Sequence, residues 1–141
     1  MNKKECAFCN FKDREVLVYE DKLCYAIISK NPINKYHILV VPINHYQDFV
    51  ELPNKLVSHI ILVAKRISKA VRRACKPDAI THTFDDDISK SGYNLVAHYK
   101  FHIIPRFKKD MHLIDWSTLR MNNLSSETRS KFAKDIKKYL N

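Results

Sequence analysis

Ala97-His98-Tyr99-Lys100-Phe101-His102-Ile103-Ile104-Pro105-Arg106 is the stretch that orders the rest of the chain, because polar and apolar residues alternate through it. In a β-strand, side chains two apart share a face. His98, Lys100 and His102 are therefore expected to project together, with Tyr99, Phe101 and Ile103 turned into a core. The strand is predicted over 94–104, preceded by another at 79–84. Further upstream, 15–19 and 23–29 read as a strand pair with a turn at Glu20-Asp21-Lys22, and 36–41 as a third strand ended by Pro42. Between these groups, Leu56, Ile60, Val63, Ile67, Ala70, Val71 and Ala74 recur at helical spacing, which predicts a helix over 54–75 between Pro53 and Pro77. A final amphipathic helix is expected at about 126–139, capped by Ser125, with Glu127 in its first turn and Phe132, Ile136 and Leu140 on one face. This order argues an α+β domain with an antiparallel sheet.

No repeat or linker divides the 141 residues, so 1–141 is read as one domain. No apolar run approaches the ~18 residues of a membrane span, and the first residues lack the apolar stretch of a secretory signal. A cytoplasmic protein without a membrane partner is expected, and its four cysteines then suit thiols or metal ligands better than disulfides. The net charge of +10 admits an anionic partner, whether nucleotide phosphates, a nucleic acid or an acidic protein surface, although spread-out charges favour a solvated lysine-rich surface. A single glycine, Gly92, excludes a glycine-rich phosphate loop.

Three groups of residues make the chain similar to the histidine triad (HIT) nucleotide hydrolases and transferases. They are the alternating stretch itself, Tyr36-His37-Ile38-Leu39-Val40-Val41-Pro42, and the pair Cys6-Ala7-Phe8-Cys9. The resemblance spans roughly 5–107 and leaves 108–141 as an extension. It implies an antiparallel meander sheet with one long helix packed on it, commonly assembled as a homodimer. It also implies a structural zinc held by Cys6, Cys9, His45 and His98. The C-x-x-C spacing suits a shared tetrahedral metal, although a redox pair has the same spacing, and two thiols with two unrelated histidines is the alternative. Cys24 and Cys75 read as small core residues.

The resemblance further implies attack of the middle triad histidine on the α-phosphorus of a nucleotide. This chain has Lys100 at that position, while His102 and His37 match the remaining phosphate-side histidines. Ser29 stands where the family carries an acidic residue or Asn for the ribose, and Asn94 where it carries Gln. Asp85-Asp86-Asp87 replaces a phosphate loop, as a solvated turn or a magnesium site. A nucleophilic Lys100 must be unprotonated, and lowering its pKa from ~10.4 to ~8 costs on the order of 3 kcal/mol. A protonated Lys100 would instead hold phosphate. Three functions follow. One is a binder of purine nucleotide or another phosphate-bearing molecule, with weak or lost hydrolase activity. Another is a divergent hydrolase or transferase using Lys100 with His102 and His37. The last is a nucleic-acid or protein adaptor, resting on Lys108, Lys109, Lys131, Lys134, Lys137 and Lys138.

Overall fold

A computed structural model describes residues 4–89, 94–108 and 110, together with positions 125, 127, 128 and 132. Two compact units divide the chain, Met1–Asp110 and Met111–Asn141. In the first, β1 (Leu17–Glu20), β2 (Cys24–Ile28) and β3 (Ile38–Pro42) precede α1 (Asn54–Cys75), and β4 (Ala79–Thr83) and β5 (Phe101–Arg106) follow it. The five strands form one antiparallel sheet in the order β1-β2-β3-β5-β4. β1 to β3 meander, and β5 then inserts between β3 and β4. Asp21 makes the first turn, its carboxylate accepting the amides of Leu23 (2.8 Å) and Cys24 (3.0 Å).

Period-two alternation in the central strands gives the sheet two buried faces. Cys24, Ala26, Ile38, Val40, Phe101 and Ile103 share a core with α1. Tyr25, Ile27, Leu39 and Val41 are covered on the other face by Phe8, Phe11, Val16 and Leu17. That is why Ile38-Leu39-Val40-Val41 reads as an unbroken apolar run. α1 buries Leu56, Ile60, Val63, Ala64, Ile67 and Val71. Ala70 and Ala74 are exposed, and Ala64 takes their expected place, because the buried stripe follows the i, i+4 rows from Leu56 and Val63. Pro53 caps the helix through its carbonyl, which accepts from Leu56 (2.8 Å) and Val57 (3.0 Å). The helix stops at Lys76, whose φ of 46° is left-handed, directly before Pro77.

The expected strand at 94–104 is corrected to Phe101–Arg106. Residues 94–100 are not in the ladder, since β3 pairs with β5 only from Phe101 to Ile103. Pro105, one residue past the expected range, lies inside β5, where β3 has already ended its pairing. β3 starts two residues later than expected because Tyr36 adopts a left-handed φ of 61°. In the second unit, the Thr128 amide donates to Ser125 Oγ at 3.1 Å, as expected of an N-cap. Most of the expected helix at 126–139, Ile136 and Leu140 included, lies outside the described residues, as does Gly92. No helix among the described residues is long and apolar enough to cross a membrane.

Candidate functional site

Cys6, Cys9, His45 and His98 converge from three segments: the N-terminal turn, the exit of β3 and the approach to β5. Their four ligand atoms lie within 4.8 Å of one another. His98 Nδ1 is 3.2 Å from Cys6 Sγ and 3.6 Å from Cys9 Sγ, and His45 Nδ1 is 3.3 Å from Cys9 Sγ. A tetrahedral zinc with Zn–S near ~2.3 Å and Zn–N near ~2.05 Å has N···S edges of about 3.5 Å, so the spacing fits. On its far side, His98 Nε2 donates to the Pro42 carbonyl at 3.0 Å. That bond leaves the Nδ1 lone pair facing the sulfurs, the tautomer a metal ligand needs. Burial pushes the His98 imidazole down to about 4, against the opposing pull of the Pro42 carbonyl, so it is neutral. His45 Nε2 is buried with no hydrogen-bond partner among the described residues.

A second cluster among the described residues, Asp21, Cys24 and His59, is also compact enough for a metal. Here the contacts are hydrogen bonds. Asp21 accepts from Tyr19 Oη at 2.6 Å and from His59 Nε2 at 2.7 Å, the latter shorter than the N···O edge of about 3.3 Å around a tetrahedral metal. Burial pushes the Cys24 thiol up to about 12, in keeping with a small core residue. Cys75 is half-buried, its thiol bonded to the Val71 carbonyl at 3.4 Å.

His37 and His102 meet on the sheet face opposite α1. His102 is paired in register with Leu39, and His37 lies two residues before Leu39, hence on its face. His37 Nε2 is 2.9 Å from His102 Nδ1, and the Ile33 amide donates to His37 Nδ1 at 3.0 Å. Burial pushes both imidazoles down to about 4, with His37 and Lys100 reinforcing the shift at His102. Ser29, expected at the ribose, is joined to this pair through its backbone, its amide donating to the His37 carbonyl at 2.8 Å.

Lys100 does not project with His98 and His102 from one strand face. Its ammonium folds back onto the preceding loop and donates to Asn94 Oδ1 (2.9 Å), the Val96 carbonyl (3.1 Å) and the His98 carbonyl (3.3 Å). An ammonium has three donors, and all three are engaged. It also lies 5.7 Å from the Phe8 ring centroid, between the two cysteines. Burial lowers its pKa, with Asp85 opposing. Asn94 is thus occupied in holding Lys100 and the Asp85 carbonyl. Two of the aspartates accept backbone amides, Asp86 from Phe49 (2.9 Å) and Asp87 from Asn94 (3.4 Å).

The sequence gives no sign of the groups that tie the site together. They are the Ile33 amide, the Pro42 carbonyl, and an Asn34–Asp110–Arg106 network that fixes the loop before His37. Asn34 Nδ2 donates to Asp110 and to the Pro105 carbonyl, and Arg106 to Asp110. Backbone donors and acceptors are the same in every residue, so only the side chains of Asn34, Arg106 and Asp110 carry any mark in the sequence.

The family profile described as HIT domain matches residues 10–109. An uncharacterized HIT-like protein of Saccharolobus solfataricus is 35% identical over 108 residues, which are 74% of this chain and 76% of that protein. A hypothetical histidine triad nucleotide-binding protein of Sulfolobus tokodaii has 30% identity and a TM-score of 0.65 over 73% of this chain and 70% of that one. A Zn-bound histidine triad family protein of Mycobacterium smegmatis has 26% identity and a TM-score of 0.67, over 77% and 80% of the two chains.

Proposed function

The chain belongs to the HIT domain family of nucleotide-binding hydrolases and transferases, and on that premise we propose that it binds a purine nucleotide or similar phosphate-bearing molecule without efficient hydrolysis. The observation that carries this reading is the ammonium of Lys100 at the nucleophile position. Its donors are engaged by Asn94, Val96 and His98, so it has no lone pair to offer. A nucleophilic lysine would have to lose its proton and abandon three acceptors together, which disfavours the divergent-enzyme reading. The retained His37–His102 pair supports binding.

A zinc on Cys6, Cys9, His45 and His98 belongs to the same proposal. The tetrahedral spacing, the His98 tautomer and the Zn-bound relative support it. With four protein ligands its part is to pin three segments together, with no open position for water. We also place the protein in the cytoplasm as a homodimer. The exposed Ile61 and Leu62 of α1, 47% and 64% accessible, offer apolar surface for a second copy.

A thermal-shift panel of AMP, GMP and ATP, with and without chelator, tests both parts. A purine nucleotide is expected to raise the Tm and to be recovered intact, and chelator to lower it. No stabilisation at millimolar nucleotide would reject the binding reading. Lys100→His is expected to bring back release of a nucleoside monophosphate; an inert variant that still binds would show that more than the nucleophile has been lost.

A further inference from the structure

α1 carries Lys55, Lys65, Arg66, Lys69, Arg72 and Arg73 but no aspartate or glutamate, six unopposed charges in a chain whose net charge is +10. Along the sequence these cations look dispersed; the helix gathers them. At 3.6 residues per turn, Lys65, Arg66, Lys69, Arg72 and Arg73 fall within an arc of ~120°. That arc lies opposite the one holding Leu56, Ile60, Val63, Ala64, Ile67 and Val71, and all five cationic residues are exposed. The ion pairs among the described residues are Arg14–Glu20, His59–Asp21 and Arg106–Asp110, and none takes up one of these cations. Arg72 and Arg73, in the last turn, suit the negative end of the helix dipole. Lys65, Arg66 and Lys69 lie ahead of that turn. Lys65 and Lys69, then Lys69 and Arg73, set like charges four residues apart, where they repel.

We propose that the outer face of α1 around Lys65, Arg66, Lys69, Arg72 and Arg73 docks the phosphate backbone of a nucleic-acid duplex, apart from the histidine pair on the far face of the sheet. Charge complementarity carries the choice of a polyanion, and spacing selects which one. Lys65, Lys69 and Arg73 follow one line along the helix at intervals of ~6 Å, close to the repeat of phosphates along a strand. α1 contains no Phe, Tyr or Trp, so it offers no platform for unstacked bases. Contacts confined to phosphates leave the bases paired and read no sequence. A lipid surface fits less well, because the apolar stripe of α1 is spent on the sheet and only Ile61 and Leu62 are large apolar residues exposed on the helix. An acidic protein would share the charge but not the regular spacing.

Fluorescence anisotropy of a labelled mixed-sequence DNA duplex, titrated with the full chain over a salt series, tests this. Four or five phosphate contacts predict an affinity about 100- to 500-fold weaker at ~200 mM than at ~50 mM salt. Lys65→Gln/Lys69→Gln/Arg73→Gln is expected to flatten the slope of log K against log salt by about 3. The charge-matched Lys12→Gln/Lys22→Gln/Lys55→Gln, also at exposed positions, is expected to leave the slope nearly unchanged. No binding at low salt, or equal losses in the two triple variants, overturns the proposal. Displacement of the duplex by excess AMP overturns it too, by placing the duplex in the nucleotide site. So does tighter binding of polyglutamate or phosphatidylserine vesicles than of duplex. Wild-type amide shifts give a reading that needs no variant: duplex is expected to move residues 62–76, and shifts confined elsewhere reject the face. Either failure leaves the nucleotide reading standing, because this face takes no part in it.

Discussion

Lys100 combines a cationic head with partners that cost no new charge: one amide oxygen and two carbonyls. Lys100→Met keeps the length of the side chain and removes the hydrogen bonds. Because the residue is half-buried, we expect a loss of about 1–2 kcal/mol in urea unfolding, less than three isolated charged hydrogen bonds would suggest. His37 and His102 make a pH prediction of definite sign. Their values fall from the ordinary ~6.5 to about 4 in the fold, so between these limits the unfolded chain binds more protons. Their stabilising contribution is complete above about pH 6.5 and is lost as the pH falls towards 4. Urea midpoints of metal-free protein at pH 7, 6 and 5 should decline, and a His37→Gln/His102→Gln double variant should decline less. The residue types of this site were legible because imidazoles, thiols and an amine are uncommon and chemically distinct. The direction of Lys100 was not, since two of its partners are backbone carbonyls.

Among the elements, α1 was the most legible, because an apolar stripe repeated over six turns leaves little choice of period. Ile60, 1% exposed, sits at the centre of that stripe. Ile60→Ala should cost about 3 kcal/mol of unfolding free energy through lost burial and the cavity left behind. At the C-terminus of the helix, Lys76 holds a left-handed backbone that glycine adopts without penalty. Lys76→Gly is expected to raise stability by about 0.5–1 kcal/mol, measured by the same unfolding curve. β5 was the least legible element. Residues 98–100 alternate polar and apolar in sequence, yet they lack ladder partners, His98 and Tyr99 are both buried, and Lys100 folds back onto the loop before it. Alternation reports which way side chains face only where a neighbouring strand fixes the pleat, and it does not report where that strand ends.

In the first unit, the two faces of the sheet are covered by different means among the described residues. α1 packs on one with its own long apolar stripe, and the short N-terminal segment covers the other with Phe8 and Phe11. If zinc ties that segment to the β3 exit and the β5 approach, chelation should raise hydrogen exchange around residues 4–12, 42–46 and 94–100 and leave α1 protected. Equal loss of protection throughout would place the metal in a single cooperative unit with the helix. The separation of the four proposed ligands also bears on the order in which such a site would be built. Cys6 and His98 are 92 positions apart, so loop closure across most of the domain must precede assembly of the full ligand set. A chain emerging from the ribosome holds the two thiols early and the last imidazole late. In refolding with Co²⁺, the absorbance of the four-ligand complex should therefore appear no sooner than the tyrosine signal of the closed sheet, making metal capture a late, self-timed seal on a finished fold.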